Sequence, residues 1–394
     1  MAEKIDKIMK LITDEIVRRF DPESIILSGS FGRDEGAVVV EGEKLIFLAD
    51  CEIIVVTGKH IARSALKRLS SELSQNTGID VGIWWNSTIK FVSPLVKKPT
   101  IANYDLKYGS KTLYGKNYLK KIPDFKPEDI PLWEGIRLLF NRMIESMKQF
   151  SIGYLQRRPP EEKKQRLLYS ISKLILACQD ALLLCIKKYH SSYKVRNEMF
   201  KELFPKHFKK LGALSDLLLL TSKATSYKLN PEKDTYSKNY KELWFDTVCL
   251  CDTTFRYVME KDTGITFSSY SEFQEKYLKH PNVKEKYYQE ISGLPLYQNF
   301  KNIAHMWFRT HKIMSLKALK KMGTPWSHMV YSVIPSVYFS FSNESDIDIL
   351  QLSHARKTLS LFKELRVRNS NVYEEWEYVK EETYNLWSVL CADL

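Results

Sequence analysis

The chain has 394 residues, 44% hydrophobic and 27% charged, enough for two or three domains with their own cores. No apolar run reaches the roughly 18 residues that a membrane span needs, so no membrane role is expected. The formal net charge of +13 favours polyanions such as nucleotides and nucleic acids, although Lys and Arg are spread without a polybasic run.

Residues Met1–Lys10 are amphipathic and carry acids, unlike a secretory or transit signal, and a cytoplasmic location is expected. The six cysteines, Cys51, Cys178, Cys185, Cys249, Cys251 and Cys391, show no C-x-x-C spacing for zinc. Most sit in apolar contexts and read as buried free thiols.

Helices and strands alternate at first. Ile5–Phe20 has helical spacing, and Ser24–Leu27 is a short apolar run entering a Ser-Gly-Ser turn. The segment from Val38 to Lys44 has the look of an inserted hairpin or loop. Lys44–Thr57 is β-branched and apolar apart from two acids. Ile61–Leu73 is helical, Gly78–Trp85 and Thr88–Val92 are strand-like, and Ile101–Tyr114 continues the domain. After Pro123 strand signals nearly vanish. Pro131–Ile152 and Glu161–Tyr189 have helical periodicity, and further helical stretches follow. Loops interrupt them near Asn230–Lys238, Gly293–Pro295 and Gly323–Pro325. The expected fold is α+β: a head with a mixed, mostly antiparallel sheet, followed by an all-α helical region. The expected domains are residues 1–125, a helical bundle at 126–265 and a C-terminal helical region at 266–394.

The chemistry concentrates in Leu27-Ser-Gly-Ser-Phe-Gly-Arg-Asp-Glu-Gly36 and Leu48-Ala-Asp-Cys-Glu-Ile-Ile-Val-Val56. Gly29 and Gly32 permit positive φ and close backbone approach, so the turn's N–H groups and the Ser30 hydroxyl can meet phosphate oxygens. Arg33 either adds positive charge there or pairs with Asp34 or Glu35. Glu35 itself reads as a capping or bracing residue. Asp50 and Glu52, two apart on a strand, face the same way. Two carboxylates in apolar surroundings are costly without a cation, and Mg²⁺, which takes oxygen ligands and shares them with substrate phosphates, suits them. Asp80, between Ile79 and Val81, is the candidate third metal ligand and general base; Asp105 is its competitor.

Gly29-Ser30, Asp50-Cys-Glu52 and Ile79-Asp80-Val81 resemble the three signatures of the DNA polymerase β-like nucleotidyltransferases. The extended turn is similar to a bacterial and archaeal branch with undefined acceptors. Lys107–Gly115 and Leu139-Phe-Asn-Arg142 resemble the segments that close the catalytic domain. The resemblance covers about residues 20–200. The twenty-residue gap from Ser30 to Asp50 is longer than common, and the second acid is Glu.

The resemblance implies a polymerase β-like head and Mg²⁺- or Mn²⁺-dependent transfer of a nucleoside monophosphate from an NTP, ATP first among candidates, with release of pyrophosphate. Asp50, Glu52 and Asp80 would be the metal-binding and catalytic residues, and Gly29, Ser30 and Arg33 would meet the phosphates. From the following helices Tyr193 would stack on the base, and Lys173, which shares a helix face with Asp180, or Arg196 would hold the triphosphate. The acceptor is open: a small hydroxylated molecule ranks first, followed by RNA or protein, as in toxin- or defence-type transferases. A non-catalytic nucleotide-binding member is the alternative from another class. His305 and His311 have no metal-ligand spacing, and Met306–His311 reads as helix core with a basic rim.

Overall fold

The computed structural model describes residues 2–42, 44–86, 97–208, 211, 216–231, 235, 236, 239–281, 303, 325–344, 346–365 and 371–391. The strand expected at Thr88–Val92, Gly293–Pro295, His305 and the segment Met306–His311 lie outside these residues. The fold is mixed α+β with a small mixed sheet near the N-terminus and a helical C-terminal region. The chain forms two compact units. The first is Met1–Pro131 with Ile186–Lys210 and Leu218–Tyr236; the second is Leu132–Cys185, Leu211–Leu217 and Ser237–Leu394.

The first unit opens with α1 (Ala2–Phe20), whose Met9, Ile12 and Ile16 recur at helical spacing and are buried. Strand β1 (Ser24–Ser28) is buried along its whole length because it is an inner strand, and it runs into α2, the single turn Gly29–Gly32. Strands β2 (Val38–Glu41) and β3 (Lys44–Phe47) form a separate hairpin. Strand β4 (Cys51–Val56), helix α3 (Arg63–Thr77), strand β5 (Val81–Asn86), helix α4 (Ile101–Tyr108) and strand β6 (Lys111–Gly115) follow. The four-stranded sheet has the order β5-β4-β1-β6. Strand β1 is antiparallel to β4 and β6, and β4 is parallel to β5.

The apolar run Lys44–Thr57 is thus two strands of two sheets. It breaks at Leu48 and Ala49, whose amides donate to the Ala37 carbonyl at 3.0 and 3.4 Å. Both residues are buried, so hydrophobic periodicity carries no mark of the break.

The second unit begins with α5 (Leu132–Gln149), α6 (Gly153–Gln156) and α7 (Glu161–Cys185). Helix α8 (Tyr193–His207) returns the chain to the first unit, and α9 (Leu217–Leu229) follows. Then come α10 (Tyr240–Thr263), α11 (Tyr270–Lys279), α12 (Trp326–Tyr338), α13 (Ile349–Leu359) and α14 (Val372–Leu390). The core of this unit combines aliphatic side chains with packed aromatic rings. Phe150 stacks on Trp244 at 4.3 Å, and Phe140 stacks on Tyr331 at 5.2 Å. By length and composition α7 could cross a membrane, and 89% of its most apolar window is buried within the protein. It ends at Cys185, short of Tyr189, because Lys187 takes a positive φ of 56°.

Candidate active site

One edge of the four-stranded sheet gathers the acidic residues. Strand β1 runs antiparallel to β4, so its end lies beside the start of β4; β5 runs parallel to β4 and starts at the same edge. Gly29 and Ser30 follow β1, Asp50 stands one residue before β4, Glu52 is the second residue of β4, and Asp80 stands one residue before β5. Asp50 is therefore at the mouth of its strand, not within it. The register Cys51↔Val81 makes Asp50 and Asp80 neighbours on strands roughly 4.8 Å apart. The Cys51 amide donates to the Asp80 carbonyl at 2.7 Å, which fixes this pairing.

The two faces of the sheet differ at this edge. Cys51, Ile53 and Val81 are buried, and the Cys51 sulfur lies 3.7 Å from that of Met9 on α1. By alternation Asp50, Glu52 and Asp80 share the opposite face, where Asp50 and Asp80 are exposed and Glu52 is half-buried. Burial, reinforced by the charges of Asp50 and Glu52, pushes the Cys51 thiol up to about 12. It stays protonated and is no ligand for a hard cation.

Gly29 has φ +66°, and a Cβ on it would stand 2.7 Å from the Glu52 carboxyl carbon. The glycine thus does two things: it takes the left-handed conformation and leaves room for the Glu52 carboxylate over the turn. The Ser28 hydroxyl donates to a Glu52 carboxylate oxygen at 3.3 Å. Gly32 serves packing alone: a Cβ there would meet the Leu27 and Gly109 carbonyl oxygens at 2.6 and 2.7 Å. Ser30 is buried, and its carbonyl accepts the Glu35 amide at 2.8 Å.

Among the described residues, no group of three or more His, Cys, Asp or Glu is placed to hold a metal ion by itself. The carboxylates at the edge nonetheless suit Mg²⁺ chemically. They are hard oxygen donors, and Mg²⁺ is commonly held by one or two carboxylates while substrate phosphates and water complete its shell.

Behind the turn lies a polar network with a bracing role. The buried Glu35 carboxylate accepts from the Ser192 hydroxyl at 2.7 Å and from the Tyr193 and Lys194 amides at 3.1 and 3.4 Å. It sits on the first turn of α8, where negative charge is favoured. Glu35 thus braces the turn by capping the distant helix α8. The Arg33 side chain, 8% exposed, lies 3.4 Å from Glu35 and 3.3 Å from Asp105. The Tyr189 hydroxyl donates to Asp105 at 3.2 Å. Burial raises the Asp105 carboxyl above the usual carboxylate range, and Arg33, Arg196 and Tyr189 offset part of that rise. Asp105 sits on α4, engaged by Arg33 and Tyr189 instead of standing with Asp50 and Glu52. The Tyr193 ring packs against the Arg196 guanidinium at 4.3 Å and that of Arg33 at 5.4 Å.

Lys173 belongs to the second unit, where it pairs with Glu145 at 3.2 Å. Asp180 is buried on the same helix. Burial pushes the Glu145 carboxyl up, but Arg142 and Lys173 outweigh it and hold the group at about 2, below its ordinary 4.5. Its folded value is depressed, so its stabilisation is complete above pH 4.5 and is lost as pH falls toward about 2. Glu145→Gln should flatten the pH dependence of stability in that window, as read by urea unfolding at a series of pH values; an unchanged slope would remove Glu145 from the acid response.

Sequence reading missed Tyr189 and the Ser192 hydroxyl as partners of the turn, and it took Asp105 for a rival metal ligand. The one local signal was Ser192, whose side chain accepts the Val195 amide as a helix N-cap. Comparison with family models, curated proteins and solved structures found no match for this chain.

Proposed function

We propose that the chain is a Mg²⁺-dependent nucleotidyltransferase with a polymerase β-like head. The supporting observation is the pairing of Asp50 and Asp80 at the mouths of two adjacent parallel strands, beside a Glu52 carboxylate seated over Gly29. In this reading the turn amides at Gly29 and Ser30 would hold the β- and γ-phosphates of an NTP, and Asp50, Glu52 and Asp80 would hold the metal ion. Bound Mg²⁺ would neutralise the phosphate charge that builds up during transfer. Asp80 orients the acceptor hydroxyl and takes its proton. The acceptor oxygen bonds to the α-phosphorus; the bond from that phosphorus to the oxygen bridging to the β-phosphate breaks; pyrophosphate leaves with the electron pair. In this reading Arg33, engaged by Glu35 and Asp105, acts by bracing the turn.

The test is calorimetry with each of the four NTPs in Mg²⁺, on the wild type and on Asp50→Ala/Glu52→Ala. Metal-dependent binding by the wild type that disappears in the variant is expected. A wild type that binds no NTP would sink the reading.

A further inference from the structure

Strand β6 is an outer strand of the four-stranded sheet and pairs with β1 alone among the described residues. Apart from those pairings, no described backbone group bonds to the backbone of Lys111–Gly115. An edge strand turns alternate N–H and C=O groups outward, where another strand can receive them. Lys111, Tyr114 and Gly115 are exposed, and Tyr114 shows 40% of its surface. The register shifts between Ile25 and Ile26, so Leu113 has no partner on β1. Such a bulge interrupts the ladder and keeps the open stretch short.

The same segment is basic. From Lys107 to Lys126 there are six lysines and one acid, Asp124. Lys111, Lys116, Lys120, Lys121 and Lys126 are exposed. Lys111 pairs with Asp34, and Lys116 pairs with Glu23 at 3.2 Å. Both pairs lie at the surface, where ion pairs are weak and readily exchanged. Lysines on an edge ordinarily discourage strand pairing. Here they discriminate between partners. A second copy of β6 would set Lys111 and Lys116 against lysines, and like charges facing each other across a ladder are destabilising. A strand carrying Asp or Glu meets opposite charge and also supplies the missing ladder. A polyanion without a peptide backbone answers the charge but leaves the outward amides and carbonyls of β6 without a ladder.

We infer that β6 is a docking edge for an extended acidic segment of a partner protein, which joins the sheet beyond β6 as an added strand. The lysines attract and select the segment, the backbone holds it, and the exposed Tyr114 ring adds apolar contact. The test is fluorescence anisotropy with a labelled peptide of about six residues that alternates Val and Glu, the usual length of a strand. A Val–Lys peptide and a single-stranded oligoribonucleotide serve as comparisons. Two further Val–Glu peptides carry N-methyl groups on one or the other alternate set of amides, which keeps their charge and removes the donors of one edge. Wild type is compared with Lys111→Glu/Lys116→Glu, whose folding is checked by thermal unfolding. The Val–Glu peptide should bind wild type and the Val–Lys peptide should not. Binding should weaken by about 10-fold or more in the variant. One N-methylated peptide should lose binding and the other keep it, because a single edge of the peptide faces β6; this arm holds even if the variant fails to fold. No binding of the Val–Glu peptide by wild type would overturn the inference, as would equal binding of the two N-methylated peptides, which would leave charge alone at work. Oligoribonucleotide binding that is lost in the variant, with no binding of the peptide, would overturn it by giving the lysines to nucleic acid.

Discussion

Asp80→Asn should lower nucleotidyl transfer by about 10²–10³-fold while leaving Mg²⁺-dependent NTP binding within a few-fold of wild type. The substitution keeps the shape of the side chain but removes its charge and its capacity to accept a proton. The fold is spared, because Asp80 joins the sheet through its backbone carbonyl, which takes the Cys51 amide at 2.7 Å. The loss should appear in kcat and not in the KM for NTP, since Asp80 stands on the strand farthest from the Gly29–Ser30 turn. Asp50→Asn should differ by damaging NTP binding and turnover together. Asp105 has no means of standing in for Asp80, being engaged by Arg33 and Tyr189. Unchanged kcat in Asp80→Asn, measured by release of pyrophosphate, would remove it from the chemistry.

The second large effect concerns stability. Arg33→Ala should cost about 3–5 kcal/mol, because it leaves the Glu35 and Asp105 carboxylates in a protein interior without their shared cation. The Arg33 and Glu35 side chains are each 8% exposed, so water has little access to compensate. Arg33→Lys should recover only part of the loss, since one ammonium cannot reproduce the planar fork that reaches two carboxylates. The measurement is the urea midpoint of the transition that removes the β-sheet signal. A change under about 1 kcal/mol, the scale of a surface ion pair, would show that the network does not brace the turn.

Features carried by neighbours in the chain could be read in advance. The Ser-Gly-Ser turn after an apolar run, the hairpin around Gly42 and the amphipathic spacing of α1 are examples, because each depends on a few consecutive residues. Asp50, Glu52 and Asp80 could also be singled out, since acids in apolar strand surroundings stand out locally. That Asp50 lies just before its strand was hidden, because buried Leu48 and Ala49 continue the apolar run through the break. The bracing network was hidden for another reason. Glu35 and Ser192 are 157 residues apart, and Arg33 and Asp105 are 72 apart. No local pattern marks such pairs, so Arg33 looked as suited to phosphate as to a carboxylate. Tyr193 looked suited to a base, although its ring packs against two guanidinium groups.

The return of residues 186–210 to the first unit has a consequence for how the protein is made. Synthesis proceeds from the N-terminus, and domains generally fold as units once their sequence has emerged. Here the sheet and every acid at its edge leave the ribosome with the first 131 residues, but the hydroxyls and helix amides that receive Asp105 and Glu35 come only with Tyr189, Ser192 and α8. Between these two events the whole of α5 and α7 must be translated. During that interval the nascent head holds Glu35 without the hydroxyl and amides it accepts, so a chain released early, or a fragment cut at Pro131, would carry all three acids beside an unbraced turn. The motif-bearing segment is for that reason not a self-sufficient module: maturation of the turn waits for the return of the chain.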